Sequence, residues 1–204
     1  MALLRLNTGD LNYPIKLEKV LGEEAPRVIV ANGNNYLLGS RSLAFFAPPS
    51  CPADLRLHCY LLAQQLRRYP ITVVSGFDSP VEQECLTILL GYSNPIIVCP
   101  AREIESMRIP FEYKPAMEMG RLLVISPFTG KATRSAEAVA YRNKMVSALA
   151  DEVFTACADQ SGKSEELYKQ VLSWDTPLLT FSSRSNKRLV DQGAKPIFPD
   201  HAFR

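Results

Sequence analysis

Residues 161–164 read Ser-Gly-Lys-Ser, a set of side chains that can bind phosphate. Glycine lets the backbone approach a ligand closely, serine and backbone N–H groups donate hydrogen bonds, and lysine adds a positive charge. The segment is not a Walker A loop, because that motif needs a glycine five positions before Gly162, where Cys157 stands. We therefore predict a phosphate cradle formed by Ser161, Gly162, Lys163 and Ser164. An ordinary helix start is the alternative.

A second polar turn, Ser75-Gly76-Phe77-Asp78, follows the apolar run 71–74. Asp78 can cap a helix or bind a ribose hydroxyl, and the Ser-Gly pair can bring the backbone close to a ligand. We predict ligand contacts from Ser75, Gly76 and Asp78. A capped tight turn without a ligand is the alternative.

Two basic groups complete the candidate site. Arg142, Asn143 and Lys144 supply two cations and an amide that can hold phosphate in a forked geometry, and Asn186 with Arg188 forms another basic spot. The alternative for the first group is a solvated helix face. We expect Arg142 to be exposed, so that Arg142→Ala changes folding little. If Arg142 anchors phosphate, Arg142→Ala should weaken binding about tenfold to hundredfold, and Arg134→Ala is the control for that loss of binding.

No residue pattern points to covalent or metal catalysis. His58 lies within an amphipathic stretch and His201 in the carboxyl-terminal tail, and the five cysteines form no C-x-x-C pair. The motifs G-x-S-x-G, H-E-x-x-H and G-x-G-x-x-G are absent. We predict no catalytic residue, no metal site and no cofactor, and an activity other than catalysis is favoured.

The elements that must position these residues alternate along the chain. Short apolar runs predict buried strands at 42–47, 71–74, 95–99, 121–126, 152–157 and 177–181. Helical periods predict helices at 53–69, 80–91, 134–150, 163–174 and 185–193. Strands without alternation, each followed by a helix, predict an α/β fold with a mostly parallel, doubly wound, three-layer sheet of Rossmann type.

Parallel strands bind ligands outside their carboxyl ends, where loops lead into helix amino termini. We therefore expect the strands at 71–74 and 152–157 to be adjacent or one strand apart, which would bring Ser75 and Ser161 to one edge. The first 40 residues predict a lead-in of hairpin or mixed structure, and residues 41–204 the Rossmann-type domain.

Composition limits the class of protein. The 204 residues are 47% apolar, enough for one domain with a core, and the net charge of +2 leaves any nucleic-acid site local. The odd number of cysteines predicts reduced thiols, and no apolar run is long enough to span a bilayer. We predict a cytoplasmic protein without a membrane partner.

Four stretches carry a resemblance to the DNA-processing protein A (DprA/Smf) family. ITVVSGFDSPVEQECL is similar to V-V-S-G…G-x-D-x-x-A-H of the family, and YRNKMVSALADEVFTACADQSGKSEEL to F-P-x-R-N-R-x-I-x-x-L…V-V-E-A…S-G-[ST]. PLLTF resembles V-F-A-V-P, and SRSNKRLVDQGAKPI resembles G-x-N-x-L-I-x-x-G-A. The resemblance covers residues 40–197 and implies a Rossmann-like core that binds single-stranded DNA and helps to load a recombinase.

Three departures from the family pattern bear on its site. The family's first strand runs into G-S-R, whose arginine contacts phosphate, whereas Gly39-Ser40-Arg41 here precedes the first strand of the domain and 47–51 follows it. The family's histidine corresponds to Glu82, and Val139-Ala140 replaces F-P. These changes remove one arginine and alter the rim of the pocket, while the fold prediction is unaffected.

Three functions are consistent with the sequence. The first is a module that binds single-stranded DNA or nucleotide phosphates without turnover, as a monomer or a homodimer. The second is a nucleotide-processing enzyme of the phosphoribohydrolase (LOG) type, with Glu165 or Glu166 as the acid or base. The third is a degenerate scaffold that binds protein partners.

Overall fold

The computed structural model describes residues 3–130, 135–158 and 163–199, and of Lys163 the backbone alone. Within these ranges the chain forms one nine-stranded sheet. The strands are β1 (Leu4–Asn7), β2 (Val28–Gly33), β3 (Ser42–Phe46), β4 (Thr72–Ser75), β5 (Ile96–Val98), β6 (Leu122–Ser126), β7 (Glu152–Thr155), β8 (Leu178–Phe181) and β9 (Lys195–Ile197).

The spatial order of the strands is β1-β2-β6-β5-β4-β3-β7-β8-β9. Strands β3 to β9 are parallel to one another, and β3 pairs with β4 on one side and with β7 on the other. The chain therefore winds outward from β3 in one direction as far as β6, then returns and winds the other way. This reversal is the topological switch at which open α/β sheets form their ligand crevice.

Helices lie between successive strands, except between β2 and β3, where a 3-10 turn stands. They are α1 (Ile15–Leu21), α2 (Ala53–Leu66), α3 (Pro80–Leu90), α4 (Lys114–Glu118), α5 (Ala136–Leu149), α6 (Lys163–Ser173) and α7 (Lys187–Asp191). Short 3-10 turns lie at Gly22–Glu24, Asn35–Gly39, Phe111–Tyr113 and Arg184–Asn186. In the part of the chain that the structure describes, no helix has the length and apolar character needed to cross a membrane.

Two apolar cores, one on each face of the sheet, give the fold its three layers. Helices α2, α3 and α4 pack on one face, and α1, α5, α6 and α7 on the other. Strands β3, β4, β6 and β8 are buried at every position, which is why their sequences lack the alternation of a half-exposed strand. The predicted fold class is confirmed.

The first 40 residues extend the same sheet. Strands β1 and β2 are antiparallel, and β2 pairs antiparallel with β6 through Val30 opposite Ser126 and Gly33 opposite Leu123. Leu17 and Leu21 of α1 belong to the core that α5 covers. The predicted lead-in thus shares a sheet and a core with the described residues that follow it.

The last strand, β9, was not predicted. Its three residues include a proline, and only Ile197 is buried, so no apolar run marks it in the sequence. Proline is tolerated there because β9 is an edge strand with a partner on one side, β8.

Gly33 ends β2 in a conformation that other residues rarely adopt. Its φ is +124°, and a Cβ atom built there would lie 2.4 Å from the carbonyl oxygen of Leu122. Both the backbone angle and the close approach to β6 therefore require glycine.

Replacing Gly33 with alanine should lower the free energy of unfolding by about 2 kcal/mol, because the new Cβ meets backbone and the φ angle is strained. Urea unfolding measures the change. Gly39→Ala is the control, since open space surrounds Gly39, and its effect should stay within about 0.5 kcal/mol. Equal midpoints for the two variants would contradict the role assigned to Gly33.

Candidate functional site

A cleft of about 400 Å³ opens at the carboxyl edge of the sheet, beside the ends of β3 and β4. Its walls come from the loop after β3, the turn after β4, and the first turns of α5 and α6. Strand β3 alone separates β4 from β7, so the predicted spacing of these two strands is confirmed. Ser161, the other residue in that prediction, lies outside the described residues.

Arg142 is buried at the base of this cleft, with 2% of its surface exposed. Its Nη1 donates to the carbonyl oxygen of Cys99 at 2.7 Å, and its Nη2 to Asp78 Oδ2 at 2.7 Å. Its Nε donates to Asn143 Oδ1 at 2.8 Å. The expectation that Arg142 is exposed is therefore wrong: helical spacing identified the helix, but the charge faces inward because acceptors at the ends of β4 and β5 receive it.

Gly76 makes room for this guanidinium. A Cβ atom built on Gly76 would lie 1.3 Å from Arg142 Nη1 and 2.0 Å from its Cζ. The glycine in the Ser-Gly turn is thus required by the packing of Arg142, whether or not a ligand also approaches that backbone.

Glu82 is the second buried charge of the site. Its carboxylate accepts hydrogen bonds from the backbone N–H groups of Ala47 at 3.0 Å and Asp78 at 2.9 Å, and it forms a capping box with Ser79 at the start of α3. Burial raises the pKa of Glu82, while these N–H groups and the charge of Arg142 act in the opposite direction. Glu82 thereby ties the loop after β3 to the turn after β4.

Two of the predicted binding residues are buried and form hydrogen bonds with the protein's own backbone. Ser75 is fully buried, its Oγ accepts from the N–H of Phe77, and that residue has a positive φ of 51°. Asn186 is also fully buried, and its Nδ2 donates to the carbonyl oxygens of Ala156 and Phe181. Asn186 therefore joins the end of β8 to the segment that follows β7, and it does not line the cleft.

Two predicted cations form ion pairs elsewhere on the surface. Lys144 pairs with Glu24, and Arg188 Nη2 lies 2.8 Å from Glu165 Oε2. Neither side chain lines the cleft.

Four of the predicted residues do line the cleft, namely Asp78, Arg142, Asn143 and Ser164. The hydroxyl of Ser164 bonds to that of Tyr168, which also lies 2.7 Å from Thr155 Oγ1. Of the remaining predicted residues, Ser161, Gly162 and the side chain of Lys163 lie outside the described part of the chain.

The predicted binding residues do not include Glu82, Tyr168 or Pro48-Pro49, although the family comparison aligned Glu82 with the family's histidine. Glu82 had a detectable signal, because Ser at 79 followed by Glu at 82 is the capping-box pattern. The other residues reach the cleft because α6 and the loop after β3 pack there. No local sequence pattern predicts that packing.

The segment Gly39-Ser40-Arg41 lies at the amino end of β3, away from the cleft. Arg41 Nη2 there contacts Glu152 Oε2 at 3.2 Å. The loop at the carboxyl end of β3 contains Ala47, Pro48 and Pro49 and no arginine.

The described charges of the cleft lining are two carboxyl groups, Asp78 and Glu82, and one guanidinium, Arg142. Their formal sum is −1, so these side chains alone do not attract phosphate. Within the described ranges no group of histidine, cysteine, aspartate or glutamate is placed to hold a metal ion.

The family model for DNA recombination-mediator protein A matches residues 5–202. The chain belongs to this family. Membership gives it a role in DNA processing and confirms the predicted resemblance. No curated protein matches the chain by sequence.

Solved structures share the fold at low identity. DNA processing protein A (DprA) from Streptococcus pneumoniae superposes with a TM-score of 0.79 at 17% identity, over 98% of this chain and 72% of that one. DprA from Helicobacter pylori, described as having a unique single-stranded DNA binding mode, gives 0.76 at 19%, over 97% and 92%. A molybdenum cofactor binding protein from Rippkaea orientalis gives 0.56 at 10%, over 79% and 91%.

Removing the buried guanidinium should destabilise the protein. Arg142→Ala removes the hydrogen bonds that Arg142 donates to the Cys99 carbonyl and to Asp78, and losing one partner of a largely buried pair costs about 3 kcal/mol. Gly76→Ala should cost a similar amount in the wild type but much less in the Arg142→Ala background, because the atoms that its Cβ would meet are gone. Urea unfolding of the two single variants and the double variant measures this coupling.

Arg188→Ala, which removes an exposed ion pair, is the control and should change stability by no more than about 0.5 kcal/mol. Additive effects of Gly76→Ala and Arg142→Ala would show that the glycine serves another purpose.

Stability should depend on pH through Glu82. Burial raises its pKa above the ordinary 4.5, so its contribution is fully present below that value and is lost as pH rises through the folded pKa. The free energy of unfolding of the wild type relative to Glu82→Gln should therefore fall from pH 4.5 upward. Glu84→Gln on the same helix is the matched control. A difference that grew with pH would mean that Arg142 and the N–H donors outweigh burial.

Proposed function

We propose that this chain binds single-stranded DNA at the carboxyl edge of its sheet, without turnover, with a base in the cleft and the phosphates outside it. The observation that carries the proposal is an open cleft at the topological switch of a chain whose family processes DNA. The H. pylori relative, described as binding single-stranded DNA, supports this choice of nucleic acid.

The walls of the cleft suit a base better than a phosphate. Pro48, Pro49, Val139 and Leu167 provide apolar surface against which a flat ring can pack. Asn143 provides hydrogen bonding: Arg142 occupies its carbonyl oxygen, so the amide NH₂ is the group offered to a base.

The phosphates would contact cations around the cleft. Arg102 follows β5 and Arg184 follows β8, and both are exposed at the carboxyl edge. The predicted cradle at 161–164 belongs to the same proposal, and Ser164 is the member of it that lines the cleft among the described residues. Few such contacts imply binding that weakens moderately with salt.

An enzymatic alternative gains no support from the described residues. Glu165 pairs with Arg188, and neither Glu165 nor Glu166 lines the cleft. We keep a free mononucleotide as the other candidate ligand of the cleft. We also propose that the protein is cytoplasmic and forms a homodimer. Competition by mononucleotides against a bound oligonucleotide tests the choice of ligand. Sedimentation with and without DNA tests whether the protein is a homodimer.

Filling the cleft should abolish base insertion. Ala140 is exposed on α5 and lines the cleft, so Ala140→Trp should weaken binding of a fluorescent single-stranded oligonucleotide by about tenfold or more, equivalent to about 1.4 kcal/mol. Anisotropy titration at low salt, with protein to about 10 µM and above, measures this.

Met119→Trp is the matched control, because Met119 is exposed just before β6 at the amino edge. It should bind as the wild type does. Equal affinity for all three proteins would refute the cleft as the site, and equal affinity for duplex and single-stranded DNA would refute base insertion.

A further inference from the structure

Four of the five cysteines share one core. Cys51, Cys59, Cys85 and Cys157 lie between the sheet and helices α2 and α3, whereas Cys99 lies on the opposite face. All five are buried and reduced. Four thiols therefore lie on one side of the sheet, and two of them, Cys51 and Cys157, are in the loops that follow β3 and β7.

Cys51 is at the centre of this cluster. It shares a buried core with Cys59 and Cys157, and the thiols of these two neighbours are the main influence on its pKa. The backbone sets the contact with Cys157, because β3 and β7 are neighbours and the N–H of Ala156 donates to the Phe46 carbonyl at 2.9 Å. The two loops thus leave adjacent strands side by side.

The position of Cys51 favours its thiolate. It immediately precedes Pro52, the N-cap of the 14-residue helix α2, and Arg56 lies one turn into that helix. The positive end of a helix and a nearby guanidinium both stabilise a thiolate. The thiols of Cys157 and Cys59 donate to Cys51 and lower its pKa, with Arg56 acting in the same direction and burial opposing.

We propose that Cys51 and Cys157 are a modification site, at which a hydroperoxide converts the two thiols into a reversible disulfide. Cys157 is the favoured partner because it and Cys51 each lie in a loop and retain 4% exposure, whereas Cys59 is fully buried within α2. A loop can move to reach disulfide geometry, and a residue held inside a helix cannot do so as readily.

The chemistry balances with hydrogen peroxide as the oxidant. The Cys51 thiolate attacks one peroxide oxygen, an S–O bond forms, the O–O bond breaks, and the leaving hydroxide takes a proton to become water. The Cys157 sulfur then attacks the Cys51 sulfur, the S–S bond forms, the S–O bond breaks, and the leaving hydroxide takes the proton that the Cys157 thiol releases and becomes a second water. Two electrons pass from the two sulfurs to the peroxide.

The disulfide would tie together two borders of the cleft. Cys51 closes the loop that contains Pro48 and Pro49, through its N–H bond to the Pro48 carbonyl at 3.0 Å. Cys157 precedes the segment that leads to α6, whose Leu167 and Tyr168 form another wall. The proposal does not depend on what the cleft binds.

Peptide mapping of the full chain tests the proposal without any substitution. Trypsin places Cys51 on peptide 42–56, Cys59 on 57–67, Cys157 on 145–163, and Cys85 with Cys99 on 69–102. After treatment with a small excess of hydrogen peroxide and alkylation, we expect peptides 42–56 and 145–163 linked by a disulfide. The link should disappear on reduction, and two of the five thiols should be lost from the count made after unfolding in denaturant.

Cys51→Ala and Cys157→Ala should each abolish the link, and Cys99→Ala should retain it. A link between 42–56 and 57–67 would overturn the choice of Cys157 as the partner. Overoxidation of Cys51 with no linked peptide, or five unchanged thiols after peroxide treatment, would overturn the proposal as a whole.

Discussion

The carboxyl edge of this sheet depends on one buried guanidinium. Arg142 reaches from α5 to the end of β5, through the Cys99 carbonyl, and to the turn after β4, through Asp78. Removing a charge from water is costly, and the cost is offset only when acceptors surround the group with good geometry. The absence of a side chain at Gly76 allows that geometry, so the ends of two strands and one helix are positioned together.

Glu82 extends this arrangement to the central strand. Its carboxylate accepts from Ala47, directly after β3, and from Asp78 in the turn that Arg142 also contacts. Three adjacent strands are thereby linked at the edge where the cleft opens. Because the described charges of the lining serve this internal network, the proposed binding of single-stranded DNA assigns the phosphate contacts to cations around the cleft. The cleft therefore differs from the site that the family resemblance implies, in which an arginine at the end of the first strand contacts phosphate.

The same topology explains the sulfur cluster. Strand β3 begins the outward winding and β7 begins the return, so their following loops are far apart in sequence but adjacent in space. Pro48 and Pro49 stand on one side of the cleft, and the segment after Cys157 leads to the other. A disulfide between Cys51 and Cys157 would therefore link two sides of the cleft through loops that are distant along the chain.

The sequence by itself determined the order of the strands β3 to β8 with the helices α2, α3, α5, α6 and α7, the parallel sheet covered on both faces, and the family. Burial on both faces removes alternation, and β3 to β8 show this directly in their residues. The sequence could not determine which way Arg142 points, because helical spacing defines a face but not the acceptors opposite it. Nor could it reveal β9, whose one buried residue leaves no periodic signal. Only the tertiary structure decided which polar groups meet at the cleft, since these contacts join residues that are distant along the chain.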